Sequence, residues 1–386
     1  MAHVAPTLEE ALGFVSKEEV QELVRMRRDF HMHPELGYQE VRTSGIVAER
    51  MTQLGYDVRR GVGKTGVLAQ RGRDGRMLLL RADMDALPIL EENNVEYRST
   101  NDGVMHACGH DGHTAIGLMT AARLAGASFP GRVRFAFQPA EEGGQGADRM
   151  IEEGALDDVD AAIGLHLWSD LPVGKVGITV GPTMASVDEF TLEVCGRGCH
   201  AAMPHEGIDP IVLGSRLVQD FQAIVSRTVS PLESAVVSVT KFHAGSAFNI
   251  IPETAQLAGT VRTFSEKVRD HVHAKMKEIV GDKGKLHIVK KTRVLVNDAR
   301  MCQIVRRAAA EVVGEENILD DQRTMGGEDF ASFLAGVPGC FFFVGAAPSK
   351  TPEPHHSPRF NIDERGLALG LEVMTRAAHL YWKNPA

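Results

Sequence analysis

Residues 105–114 read MHACGHDGHT, with three histidines, one cysteine and one aspartate in ten positions. A thiolate beside an imidazole suits zinc or another divalent transition metal. Four readings are open for such a cluster: a structural zinc knot, half of a disulfide framework, a polar patch of core, or part of an active site. The spacer in Cys108-x-His110 is too short for the paired ligands of a structural zinc site, and no matching second pair follows. Three other stretches carry donors. QPAEEGG, residues 138–144, sets Glu141 beside Glu142. Adjacent acids in a loop can diverge, one binding a metal while the other holds water as a general base. His166 lies in GLHLW, at the expected end of an apolar strand, and His355 and His356 lie in the proline-flanked PHHSP. Taken singly these read as a solvated acidic turn, a core histidine and a loop. Taken together, Cys108, His110, one of Glu141 and Glu142, His166, and one of His355 and His356 supply S, N, O, N and N donors. Two metals roughly 3.5–4 Å apart can share one water and lower its pKa.

The elements that must position these residues can be read around them. Ser16 and Glu19 form a capping box for a helix that runs to about His33 and stops at Pro34. RMLLLRADM predicts a buried strand ending near Ala82, and RVRFAFQ and AAIGLHLW predict two more. HTAIGLMTAARLAGAS is a helix between the first two strands. GCFFFVGA is a further buried strand, and ERGLALGLEVMTRAAHLYW a closing helix. Strands alternating with helices imply an α/β fold with a mixed, mostly parallel sheet. The polar clusters fall where those strands end, which is where open α/β sheets bind ligands. The middle of the chain reads β-α-β-β-α-β, the ferredoxin-like unit. Its helices open on Asp209 with Pro210 and on Ser265. Asp298 caps a later helix that Gly314 ends. The expected organisation is a discontinuous catalytic domain, 1–186 and 297–386, with an inserted, lid-like domain at 187–296. Hinges are expected near 185–187 and 296–298.

Composition narrows the classes. At 386 residues and 43% hydrophobic content, the chain can bury a large core without a metal or disulfide to hold it together. A net charge of −9 disfavours a nucleic-acid partner. Five cysteines are an odd, sparse set that fits a reducing compartment rather than a disulfide scaffold. The first residues, MAHVAPTLEEALGFV, lack the basic leader and apolar run of a secretory signal, and no stretch reaches the roughly 18 apolar residues of a membrane span. A cytoplasmic enzyme is expected.

RRDFHMHPELGYQE, RADMDALP, HACGHDGHT, FQPAEEGGQGA, GLHLW, GRGCHAAMPHEGIDP, FNIIPETAQLAGTVRTF, MGGEDFASF and HHSPRFNIDE occur in this order. Over about residues 20–380 the chain thereby resembles peptidase family M20, and within it the amidohydrolase branch of N-acyl-amino-acid, hippurate and auxin-conjugate hydrolases. The resemblance implies a dinuclear centre on Cys108, His110, Glu142, His166 and His356, holding zinc, manganese, cobalt or nickel, with Glu141 as general base. It implies that Asp85 orients a ligand from behind. Asp83 stands where the wider family often has a histidine ligand, and its role is open. It further implies that His200 stabilises the oxyanion from a partner subunit in a homodimer or higher homo-oligomer. Asn249 and Arg262 would hold the substrate carboxylate, Gly326 and Gly327 would line its pocket, and His205 would line the site. The implied reaction is hydrolysis of a small N-acyl-L-amino acid by a metal-activated water. The alternative on the same scaffold is a dipeptidase or carboxypeptidase.

Other clusters have simpler readings. Cys195, Cys199, His200 and His205 could form a second zinc site, but no fold need demands one. His31 and His33 at a helix end read as groups capping backbone, and Cys302 and Cys340 as core.

Overall fold

The computed structural model describes residues 9, 12–348 and 352–383. Most of the N-terminal stretch read for a leader lies outside them. The chain divides into two compact units: Met1–Gly181 with Val296–Gln322 and Ser332–Ala386, and Pro182–Leu295 with Arg323–Ala331. Among the described residues no helix is long and apolar enough to cross a membrane.

The first unit is built on an eight-stranded sheet. Helices α1 (Lys17–Met32) and α2 (Val41–Gln53) precede the hairpin β1 (Asp57–Val62) and β2 (Gly66–Arg71). There follow β3 (Met77–Asp83), α3 (His110–Ala125), β4 (Arg132–Gln138), α4 (Gly146–Glu152) and β5 (Ala161–Pro172). Strand β4 pairs with β3, and β3 with β5, in parallel, while β1 and β2 add antiparallel strands at one edge. The parallel strands β3 and β4 are buried almost throughout, β3 as its apolar run predicts and β4 on both faces despite the alternation of its sequence. The capping box is present: Ser16 Oγ accepts the Glu19 amide at 3.2 Å, and Glu19 Oε2 accepts the Ser16 amide at 3.0 Å. Helix α3 starts at His110, three residues earlier than HTAIGLMTAARL suggests, because Gly109 at φ 94° turns the chain directly into it. His110 and His113 therefore both belong to the first turn of that helix.

The second unit contains β6 (Ser186–Cys195), α5 (Pro210–Arg227), β7 (Ala235–Ala244), β8 (Thr254–Thr263), α6 (Glu266–Val280) and β9 (Gly284–Thr292). The sheet order is β7-β8-β6-β9, antiparallel throughout, as in a ferredoxin-like β-α-β-β-α-β unit. Phe190, Leu192, Leu217, Phe221, Leu257 and Val272 lead its core. Asp209 Oδ1 accepts the Ile211 and Val212 amides and Ser265 Oγ accepts the Val268 amide, so both predicted helix starts are present.

The first unit then continues with α7 (Ala299–Val313), capped by Asp298 and ended at Gly314, φ 84°. Strand β10 (Gly339–Ala347) lies parallel to β5, and α8 (Arg365–Lys383) closes the chain. Cys302 and Cys340 are buried in this unit's core as expected, 2% and 0% exposed.

Candidate metal centre and amide-hydrolysis site

The carboxyl ends of β3 and β4, the middle of β5 and the start of α3 bring the expected donors together; His166 lies within β5, which runs on to Pro172 rather than ending there. Cys108 Sγ lies 3.5 Å from His166 Nε2. His356 Nε2 lies 3.1 Å from Glu142 Oε1. Ligand atoms of Cys108, His110 and His166 lie within 4.8 Å of one another, as do those of Cys108, Glu142 and His356, and those of His110, Glu141 and Glu142. These overlapping triads span the five residues that the sequence offered as ligands, together with Glu141.

Two donors have no hydrogen bond of their own. His110 Nε2 and Glu142 Oε1 are buried and unsatisfied, and the approach of His356 Nε2 to Glu142 Oε1 at 3.1 Å lacks hydrogen-bond alignment. Orphaned buried polar atoms are rare and call for a partner. A cation satisfies both, so the residues present fit a metal centre.

The imidazoles are oriented from behind. His110 Nδ1 donates to the Asp85 carbonyl at 2.9 Å, which turns Nε2 into a bare lone pair. His166 Nδ1 donates to the Leu167 carbonyl at 2.9 Å, so its Nε2 also faces the site unprotonated. Such outer contacts fix tautomer and ring angle in metal sites. Burial, reinforced by His113 and His355, holds the His166 pKa well below the ordinary histidine value. Burial also opposes a charged His110, yet the Asp83 charge and the hydrogen bond to Asp85 outweigh it and hold that pKa well up. The pocket thus favours positive charge at His110, whether a proton or a cation carries it. Burial, with Glu142 nearby, pushes the Cys108 thiol well above its usual value, so loading a metal there must expel a proton.

Asp83 is resolved by its contacts. It binds Arg81 Nη1 at 2.5 Å and accepts from His113 Nδ1 at 2.6 Å. Burial would raise its pKa, but Arg81, His110 and His113 hold it well below the carboxylate range. His113 then accepts the Leu167 amide on Nε2 at 2.9 Å, so both ring nitrogens are used. The buried trio Asp83, His110 and His113 meets a metal-donor distance criterion, but no lone pair of His113 is left to give. Asp83 and His113 are supports. Asp85 supports the acid loop as well: its two oxygens accept the Glu141 amide at 3.0 Å and the Glu142 amide at 2.9 Å.

The two histidines of PHHSP divide the work. His355 accepts the Ser169 amide on Nε2 at 3.2 Å, and its protonated Nδ1 faces Cys108 Sγ at 3.8 Å. Burial lowers its pKa to about 3, so it stays neutral. His356 is held with φ 66°, left-handed and uncommon outside glycine, and its amide donates to the Ala107 carbonyl at 2.8 Å. That strain sits beside Cys108 and turns His356, not His355, toward Glu142.

One expectation needs correction. His33 Nδ1 caps the Asp29 carbonyl at 2.8 Å, but His31 caps nothing. It is fully buried, bonded to Asp111 Oδ2 at 2.8 Å and to Glu91 Oε1 at 3.2 Å, and Arg27 completes the cluster on Asp111 at 2.8 Å. Asp111 follows His110, so this network braces the start of α3. The partners lie 60 and 80 residues away in sequence, and helix-end position alone gives no hint of them.

The remaining candidates lie in the second unit. His200 and Asn249 are exposed on a short pairing of Cys199–His200 with Ile250–Ile251. His200 Nδ1 accepts the Ala202 amide at 3.0 Å, which leaves the proton on Nε2 as a donor. His205 is exposed in a short 3-10 turn. Arg262 is half-buried, its Nε donating to Thr260 Oγ1 at 3.1 Å, and it makes no ion pair among the described residues. Gly327 packs so close that a Cβ would meet Val187 Cγ2 at 2.2 Å and Arg262 Nη1 at 3.6 Å, so any larger residue would displace one or the other. Gly326 donates its amide to Thr324 Oγ1 at 3.1 Å. Among the described residues, Cys195, Cys199, His200 and His205 form no metal-donor trio, and all five cysteines are free.

Comparison with known proteins shows the family. The chain is 41% identical over 361 residues to the N-acetyl-L-cysteine deacetylase of Bacillus subtilis, covering 90% of this chain and 85% of that one. It is 47% identical over 279 residues to an N-acyl-L-amino acid amidohydrolase of Geobacillus stearothermophilus, covering 69% and 75%. It is 38% identical over 375 residues to thermostable carboxypeptidase 2 of Saccharolobus solfataricus, covering 92% and 95%. The solved YXEP protein of Bacillus subtilis, a dinuclear metal binding peptidase from M20 family, superposes with a TM-score of 0.84 at 35% identity, covering 96% and 100%. Residues 79–380 match the family described as Peptidase family M20/M25/M40, and the chain belongs to that family.

Proposed function

We propose that this chain hydrolyses the amide bond of N-acyl-L-amino acids, hippurate-like or N-acetylated, to a carboxylic acid and a free amino acid. The observation that carries the reading is the pair of orphaned donors, His110 Nε2 and Glu142 Oε1, with Glu141 beside them. Cys108, His110, Glu142, His166 and His356 would hold two divalent cations, and zinc, manganese, cobalt and nickel all suit this S, N and O set. When bound, such a pair polarises the carbonyl and acidifies water. Glu141 takes the proton of the attacking water and delivers it to the leaving nitrogen. His200 donates from Nε2 to the oxygen on which charge develops. Arg262, charged and without a carboxylate partner among the described residues, pairs with the free carboxylate of the substrate, Asn249 helps to hold it, and Gly326 and Gly327 line its pocket. His205 lines the same region.

The catalytic body of this reading is 1–186 with 297–386, and 187–296 is a lid that also forms a homodimer. Met203, Ile208, Ile211, Val212, Phe248 and Ile250 are exposed on that part of the chain, and Phe248 is 100% exposed. Such apolar exposure fits a subunit interface. Sedimentation should report a dimer, and a strictly monomeric, fully active form would overturn the interface. The free cysteines suit a cytoplasmic location.

Glu141→Ala should lose on the order of 10²–10⁴ in hydrolysis rate while keeping its metal content. A fully active variant sinks the assignment. A panel of hippurate, N-acetyl amino acids and dipeptides, with metal added, separates this reading from the carboxypeptidase alternative, which the Saccharolobus relative's name supports.

A further inference from the structure

The loop that carries Glu141 and Glu142 is held by its backbone. Three consecutive amides donate to two carboxylates: Ala140 to Glu40 Oε1 at 2.8 Å, then Glu141 and Glu142 to the two oxygens of Asp85. Glu40 lies 100 residues away in sequence and is completely buried. Its second oxygen accepts Thr65 Oγ1–H at 2.5 Å, and no cation pairs with it among the described residues. A buried carboxylate kept only by hydrogen bonds is expensive, and such groups persist where their acceptor capacity is needed. The need is visible at Ala140, which is held at φ 50°. That left-handed turn aims the next two residues, and an L residue leaves it unless both sides of the peptide are pinned. At the far end of the loop, Tyr38 Oη donates to the Gly144 carbonyl at 2.6 Å.

We propose that Glu40 is a positioning residue for the reaction: it acts through the Ala140 amide to fix the peptide from which Glu141 and Glu142 project. The stretch GYQEV thereby serves the acid loop, with Tyr38 at one end of that loop and Glu40 at the other. This rests on the reading of Glu141 as base and Glu142 as ligand. Two of the measurements below, amide exchange and metal affinity, do not need Glu141 to be the base, so the two ideas fail separately.

The test uses the full chain with Glu40→Ala and Glu40→Gln. Glutamine keeps an oxygen for the Ala140 amide and alanine does not. Supports behind metal ligands typically contribute about 10–100-fold in affinity or activity. Glu40→Ala should therefore lose about 10–100-fold in kcat with KM changed less than about threefold, and should bind zinc or manganese about 10–100-fold more weakly by titration of the metal-free protein. Glu40→Gln should recover both to within a few-fold of the parent. By hydrogen exchange, the Ala140 amide should be protected in the parent and in Glu40→Gln and fast in Glu40→Ala. The proposal is overturned if folded Glu40→Ala keeps kcat and metal affinity, or if folded Glu40→Gln loses as much as alanine. If Glu40→Ala does not fold, the parent and Glu40→Gln decide: an unprotected Ala140 amide in the parent, or a glutamine variant impaired more than tenfold, overturns it.

Discussion

The residues read as metal ligands and those read as substrate contacts are supported in opposite ways. In the first unit three groups of donors have a second layer, while the His356 side chain is about half exposed. His110 leans on the Asp85 carbonyl, His166 on the Leu167 carbonyl, and the acid loop on Asp85 and Glu40. In the second unit His200 has one local amide contact, Asn249 and His205 are exposed, and Arg262 rests on the Thr260 hydroxyl and, at 3.5 Å, on the Met325 carbonyl. The difference teaches where rigidity is built in. Metal ligands must stand in place before anything binds, because a misplaced donor loses the cation. Residues that greet a substrate can be ordered by it, at the cost of some binding energy.

The sharpest way to break this contrast is His200→Ala. If His200 is the oxyanion donor, kcat falls by on the order of 10²–10³, and the metal content measured by mass spectrometry stays at parent levels. A drop in metal content would place His200 on the other side of the comparison. Arg262→Ala is the next step. A charge-assisted pair contributes about 1.5–3 kcal/mol, so kcat/KM for a free-acid substrate should fall roughly 10–100-fold. The same substrate with its carboxylate converted to an amide should be nearly unaffected. Equal losses on both would remove Arg262 from carboxylate recognition.

The smallest effect concerns acid. In the second unit Asp188 is buried and bonded to Arg269 and to His273 Nε2 at 2.6 Å. Burial would raise its pKa, but these partners hold it below the carboxylate range. Its folded pKa is thus lower than its unfolded value near 3.9. Above that value its stabilising contribution is complete. As pH falls below it, the unfolded chain takes up a proton that the folded chain refuses, and stability declines. Denaturant melts between pH 6 and pH 3 should show this slope, and it should flatten in Asp188→Asn. An unchanged slope would mean that the first unit, with Asp83 and Asp111 also depressed, sets acid stability alone.

The sequence announces the donors because they are concentrated at strand ends in short runs. Cys108, His110, Glu141, Glu142 and His166 could be picked out in that way, and so could the strands that carry them and the helix caps at Ser16, Asp209, Ser265 and Asp298. What stayed illegible depends on contacts between distant segments. His31 looks like a helix-end cap until Asp111 and Glu91 close around it. Glu40 looks like one more surface acid before α2. His355 and His356 are indistinguishable by spacing, and only the backbone turn at His356 separates them. Hairpin β1–β2 and helix α2 have weak patterns of their own, and β1 is largely exposed.

Ala140, Gln145 and His356 all hold positive φ angles within or beside the site, each without glycine's freedom. That has a consequence for how such a chain can change over generations or in a stability screen. Glycine at Ala140 or Gln145 would relieve local strain of roughly 1 kcal/mol, so selection for heat resistance alone has a ready path there. The same change lets the acid loop wander. Robustness and turnover therefore pull against each other at these two positions.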